Sequence, residues 1–310
     1  MHDHTHSHND SNDRIGFAFA LNLGFTIIEF VGGMLTNSTA IMADAVHDLG
    51  DTLSIGLGWV LSRLSGKQAN HAFTYGYHRL SLLGALINGA VLVLGSVWVL
   101  SESIPRLIEP QMPDALGMIG LAILGVTVNG LAAYKLSGGK TLNERVLNWH
   151  LLEDVLGWVA VLIVSLVLLF VDWPILDPIL SIAFTVFILV NVLKNIHRTV
   201  HLFLQGTPDQ QMTIEIENKL LALSHVDGVH HLHVWSLDGE RHVLTAHLLL
   251  NTPITDGIQG EVKEAVKMVC SDYDFANTTI ELEQDREVCR DAPSLHHKGP
   301  LAASEQSLPD

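Results

Sequence analysis

The chain has 310 residues, 48% of them hydrophobic and only 16% charged, a balance that points away from an ordinary soluble domain and toward a membrane class. A formal charge of −16 excludes nucleic acid as a partner and suits a protein that handles cations. Two cysteines, Cys270 and Cys289, are too few and too late in the chain for a disulfide framework.

Residues 1–13, MHDHTHSHNDSND, are polar and lack the apolar core of a signal peptide. They read as a flexible cytoplasmic tail whose His2, His4, His6 and His8 capture metal loosely. Residues 14–204 form the next block. Crossing about 30 Å of hydrocarbon takes about 20 apolar residues. Six such runs occur, at 15–35, 39–64, 80–104, 114–136, 147–171 and 175–196, so the sequence predicts six transmembrane helices. Arg14, Arg63, Lys67, Arg79, Lys135, Lys140, Arg145, Lys194 and Arg198 flank one side of these runs, and Arg106 alone flanks the other. That asymmetry puts both termini in the cytoplasm of a multi-pass protein surrounded by lipid. Residues 205–291 then read as a cytoplasmic α+β domain. A helix at 207–224 is followed by strands at 230–237 and 243–250 around an Asp238-Gly239 turn, a helix at 258–271 and a strand at 278–283. From residue 205 onward 18 Asp/Glu face 7 Lys/Arg, so this part is acidic. Residues 292–310 read as disordered.

The second run carries ADAVHDLGDTLS, with three carboxylates and a histidine inside a segment otherwise suited to lipid. Asp44, His47, Asp48 and Asp51 fall at 0, 3, 4 and 7, which places them on one face of a helix. The fifth run repeats the spacing: His150 and Asp154 are four apart, with Glu153 beside them. Two H-x-x-x-D helices facing each other offer two imidazoles and two carboxylates at one point, the tetrahedral N2O2 set that zinc favours. A charged side chain at the centre of a span costs ~2.5–3.5 kcal/mol, so five bare carboxylates would cost about 12–18 kcal/mol. No lysine or arginine lies at that depth to offset them. A divalent cation, protons or a water-filled cavity must do so. Glu29 is a further acid in the first run, read as a gate or proton relay, and Asp44 and Asp48 as lining the route or supporting the ligands. Asn22, Asn88 and Asn129 read as hydrogen-bond glue between helices. Four matched ligands suit a carried ion better than a catalytic zinc, which keeps an open position. The expectation is therefore a carrier and not an enzyme. An intramembrane zinc hydrolase and a non-transporting zinc sensor are the rival readings.

At these residues the sequence resembles the cation diffusion facilitator family of zinc transporters. The likeness rests on STAIMADAVHDLGD at 38–51, TYGYHRLSLLGALING at 74–89, the pair His150/Asp154, DPILS at 177–181 and HHLHVWSLDGERHVLTAHL at 230–248. The resemblance implies a homodimer with six helices per protomer, a metallochaperone-like α-β-β-α-β cytoplasmic domain, and exchange of Zn2+ for H+ by alternating access. It also implies export of zinc, with cadmium as a second substrate, from a bacterial cytoplasm, and no organic cofactor. Carried over by position, the transport site is His47, Asp51, His150 and Asp154, with His47 and His150 as proton exchangers. A second site in the loop between spans two and three is matched only by His71, because Gln68 and Tyr75 stand where its other ligands would be.

In the cytoplasmic domain the resemblance places a secondary, regulatory zinc on His230 and His247, with Glu283 and Asp285 near the last strand as local candidates. Strand alternation puts His231 and His233 on one face and His230 on the other, which makes His231 and His233 ordinary strand residues. Cys289 resembles a late cysteine of related proteins.

Overall fold

The computed structural model describes residues 6–65, 69–137, 142–284 and 289. The chain divides into two compact units, residues 1–66 with 83–197 and residues 67–82 with 198–310.

The first unit is helical. It contains α1 (His6–Thr36), α2 (Thr39–Ser65), the short α4 (Pro105–Ile108), α5 (Ala115–Leu136) and α6 (Leu142–Phe170), with most of α3 (Leu80–Ser103) and α7 (Leu176–Phe203). Among the described residues, five helical stretches are long and apolar enough to cross a membrane: Phe19–Thr36, Leu80–Ile108, Ala115–Lys135, Asn148–Phe170 and Leu176–Phe203. Their outer faces leave large apolar side chains such as Leu35, Leu94, Ile108, Leu156 and Phe170 exposed, the surface that hydrocarbon would cover. Helix α2 has 27 residues, about 40 Å at 1.5 Å per residue, but Asp44, Asp48 and Asp51 keep it out of the purely apolar class. Helix α1 reaches back to His6, into the stretch expected to be a flexible tail, because adding a residue to an existing helix costs far less than starting one. Residues 1–5, the loop at 138–141 and the expected disordered tail at 292–310 lie outside the described residues.

Packing in this unit relies on close approach. The buried cluster Ala40, Ile41, Met118, Ala122, Trp158, Val161 and Leu168 joins α2, α5 and α6. At Gly125 of α5 any Cβ would overlap the indole of Trp158, so the absence of a side chain there lets the ring seat against the helix.

The start of α2 is held by a buried network that sets where its acidic face points. Asn37 adopts a left-handed backbone (φ 54°) and ends α1, and Ser38 follows as the cap of α2. Ser38 Oγ accepts from the Ile41 amide at 3.2 Å and donates to Asp177 Oδ1 at 2.5 Å. Asp177 also accepts from the amide and hydroxyl of Thr39 at 2.7 and 2.9 Å and from the Ala40 amide at 3.3 Å. A carboxylate at the first turn satisfies amides that have no partner within the helix and suits the positive end of its dipole. Ser181 Oγ, one turn along α7, donates to the Thr39 carbonyl at 2.9 Å. The stretches at 38–51 and 177–181 are therefore two halves of one joint. Asp177→Ala strands several buried donors at once, and the expected result is a loss of about 2–4 kcal/mol of stability, read as a clear fall in Tm of the detergent-solubilised protein. An unchanged Tm would show that the joint contributes nothing.

The second unit carries the α-β-β-α-β order expected from sequence: α8 (Gln210–Leu221), β1 (Val226–Ser236), β2 (His242–Leu250), α9 (Asp256–Cys270) and β3 (Phe275–Gln284). The sheet order is β1-β2-β3, with β2 antiparallel to β1 and parallel to β3. The tight Asp238-Gly239 turn joins the antiparallel pair, Gly239 supplying the positive φ (103°), while α9 makes the crossover that a parallel pair needs. Central β2 is almost wholly buried, and α9 turns Val262, Val266 and Cys270 onto the core. Helix α8 starts at Gln210 and not at 207, because Asp209 caps it by accepting from the Gln211 and Met212 amides.

Candidate metal centres

In the helical unit α2 and α6 bring the two H-x-x-x-D copies together, and they interlock crosswise. His150 Nε2 lies 2.8 Å from Asp51 Oδ2, and His47 Nε2 lies 3.7 Å from Asp154 Oδ1. Within each helix His47 Nε2 is 3.8 Å from Asp51 Oδ2, and His150 Nε2 is 4.0 Å from Asp154 Oδ2. The two imidazole centroids are 5.6 Å apart. Ligand atoms of His47, Asp51 and His150 all fall within 4.8 Å of one another. Four ligands about 2.0–2.1 Å from a tetrahedral ion stand about 3.3 Å from each other. The four His–Asp spacings of 2.8–4.0 Å bracket that value, and Asp154 stands just outside the three-residue group.

A cavity of about 510 Å3 reaches this point, with Asp44, His47, Asp51 and Asp154 on its wall beside Ser54, Asn88 and Glu153. Asp154 is buried (9% exposed), whereas the other three ligand candidates are about 30% exposed; His150 is not among the residues that line the cavity. Asp44 lines the cavity, while Asp48, also buried, is not among the lining residues. Asn22 Nδ2 donates to Thr52 Oγ1 at 3.0 Å and Asn88 Nδ2 to Ser54 Oγ at 2.8 Å, the helix-to-helix role expected of them.

The second unit gathers a further set. Glu283 stands between two imidazoles, with Oε2 3.0 Å from His230 Nε2 and Oε1 2.7 Å from His247 Nδ1. Cys289 Sγ lies 3.5 Å from His247 Nδ1, and the four side chains offer ligand atoms within 4.8 Å of one another. His230 and His247 are direct partners in the β1–β2 register. Glu283 reaches them from β3, on the far side of β2. Asp285 lies outside the described residues. Cys289, which the sequence marks only by its likeness to a late cysteine of related proteins, enters the cluster without any spacing motif. The strand reading of His231 is corrected. A register shift between His230 and His233 and a left-handed φ of 48° at His231 break the alternation. The His231 ring therefore sits 5.3 Å from that of His230 and 5.0 Å from that of His247. His71 is exposed and joins no ligand set among the described residues.

Burial alone would raise the Glu283 carboxyl, but hydrogen bonds from His247 and Cys289 and the charges of His230 and His247 outweigh it and hold the group below 4.5. A depressed carboxylate contributes stability that is complete above its unfolded value and is lost as pH falls through the lower folded value. In metal-free protein, amide-exchange protection of β2 and β3 should hold from neutral pH to about 4.5 and decline below it. Glu283→Gln should flatten that decline; an identical acid limb in the variant would rule the linkage out.

Residues 15–204 match the cation efflux transmembrane domain, and residues 208–285 match the cytoplasmic domain of cation efflux proteins. The chain is similar to the cadmium, cobalt and zinc/H(+)-K(+) antiporter of Bacillus subtilis (strain 168), 31% identical over 90% of this chain and 92% of that protein. It is similar to the zinc transporter ZitB of Escherichia coli (strain K12), 31% identical over 91% of each. It is also similar to the metal cation efflux system protein CzcD of Cupriavidus metallidurans, 28% identical over 98% of this chain and 97% of that one. With both domains matched in their expected order and relatives covering nearly the whole length, the chain belongs to the cation efflux family, the cation diffusion facilitators, and is a multi-pass membrane protein.

Proposed function

We propose that this chain exports Zn2+, and Cd2+ as a second substrate, from the cytoplasm in exchange for protons. The observation that carries the reading is the crosswise pairing of His47 with Asp154 and of His150 with Asp51, beside a cavity that His47, Asp51 and Asp154 line. Two imidazoles and two carboxylates match zinc in donor type and number. Zinc requires neutral imidazole and ionised carboxylate, so loading the site releases protons and reprotonation expels the metal. His47 and His150 are thus ligands and proton exchangers at once. The relatives' names point the same way, since they speak of zinc, cadmium and cobalt transport and of antiport with H+.

In this reading α2 crosses the membrane as a sixth span because its aspartates face the ion path and not lipid. Both termini are then cytoplasmic, in the inner membrane, as the flanking arginines and lysines require. The functional unit is a homodimer, supported by the match of residues 208–285 to the family's cytoplasmic domain. His230, His247, Glu283 and Cys289 hold a regulatory zinc there. Excess acid on the cytoplasmic domains repels the two copies until metal offsets it, which biases the transport cycle. Removal of residues 205–310 should abolish metal-dependent dimerisation.

Proteoliposomes with an imposed pH gradient test the exporter reading. Zinc movement against its own gradient, driven by the pH difference, is the expected result. An intramembrane hydrolase would show turnover of a substrate without flux, and a sensor would bind zinc without moving it. Either outcome would overturn the proposal.

A further inference from the structure

The candidate ligand sets of the two units differ in one donor. The crossing of α2 and α6 offers two imidazoles and two carboxylates, whereas the set in the second unit offers two imidazoles, one carboxylate and one thiol. The chain has only two cysteines. Cys270 turns into the apolar core under α9, where a thiol packs as a small hydrophobe. Cys289 stands among polar groups instead. Its Sγ lies 3.5 Å from His247 Nδ1, and it donates a hydrogen bond to Glu283, which His230 and His247 also flank. A nitrogen at about 2.0–2.1 Å and a sulfur at about 2.3 Å from one tetrahedral ion stand about 3.6 Å apart, close to that separation. His247, Glu283 and Cys289 are buried, so their donor atoms meet away from bulk water.

We propose that this set is a thiolate site for a soft dication and that it takes cadmium in preference to zinc. The proposal deepens, and rests on, the reading of the set as a regulatory metal site. Binding is balanced in charge and atoms. The Cys289 S–H bond breaks, its proton leaves to solvent, and the sulfur donates an electron pair to the ion. One thiolate and one carboxylate then offset the two positive charges, so the loaded site buries no net charge. Cadmium is the larger and softer of the two ions, and a polarisable sulfur holds it better than nitrogen or oxygen does. The crossing of α2 and α6 has no sulfur and so lacks that bias. The two sites therefore rank the metals differently, and cadmium occupies the regulatory set at concentrations at which zinc does not.

Cadmium alone, titrated into the full-length protein, tests the proposal through the ultraviolet charge-transfer band of a cadmium–sulfur bond. The N-terminal histidines and the membrane crossing offer only nitrogen and oxygen, so the band reports on cysteine. It should saturate at one cadmium per chain, persist in Cys270→Ala and vanish in Cys289→Ser. Zinc added to the cadmium-loaded protein should halve the band only at an excess of at least about tenfold, a factor that loss of even one supporting partner of a ligand reaches. No band in wild type, a band that survives Cys289→Ser, or half-loss at equal zinc overturns the proposal. Cadmium-edge X-ray absorption at one cadmium per chain needs no variant: one sulfur beside nitrogen and oxygen supports the site, and a sulfur-free shell overturns it. Dimerisation of the same protein separates the underlying reading. A sulfur band with dimerisation unmoved by either metal supports the thiolate site and overturns its regulatory role.

Discussion

Asp154→Ala is expected to cut zinc uptake in proteoliposomes by more than about 100-fold, the upper end of what even outer partners of metal ligands can cause. Of the four residues at the crossing Asp154 is the most buried, and it stands within 4.0 Å of both imidazoles. Its removal takes away the carboxylate that stands near both imidazoles, so the set loses its shared partner. Loss of the carboxylate also removes a partner of His47, so the ring gains freedom as the site loses charge. Glu153 supplies the control, being next in sequence, on the cavity wall and outside the crossing. Glu153→Gln should change apparent zinc affinity modestly and leave the maximal rate close to wild type. Equal losses in the two variants would mean that cavity charge, and not ligation, governs transport.

The second large effect is on selectivity. His47→Asp converts two imidazoles and two carboxylates into one imidazole and three carboxylates. Oxygen donors favour harder ions, so the ratio of zinc to manganese transport should fall by at least about tenfold while a working site is kept. Competition assays, with zinc and manganese present together, read that ratio directly. A uniform fall in all metals would make His47 a structural residue and not a selector.

The crossing of α2 and α6 was legible because its grammar is local: residues four apart share a helical face, and bare acids inside apolar runs demand a counter-charge. The Asp238-Gly239 hairpin and the strand order were legible on similar grounds, as turn chemistry and apolar alternation over a few residues. Other features depend on contacts far apart in sequence. Asp177 was visible within a motif, yet its role as the cap of α2 needs a partner 138 residues away. Alternation misplaced His231 because one residue with a positive φ shifts the register, and no residue type there announces a bulge. Glu29 could be seen as a buried acid, but that it faces Asp48 and Asp44 follows only from how α1 lies against α2.

Zinc-edge X-ray absorption on the full-length protein is the most direct measurement of the central claim, with His230, His247 and Glu283 replaced so that the cytoplasmic cluster is silent. The predicted result is a four-coordinate shell of nitrogen and oxygen at about 2.0–2.1 Å with the multiple scattering of two imidazoles, lost on Asp154→Ala. A six-coordinate shell of water oxygens without imidazole scattering, or a spectrum indifferent to Asp154, would contradict a metal held between α2 and α6.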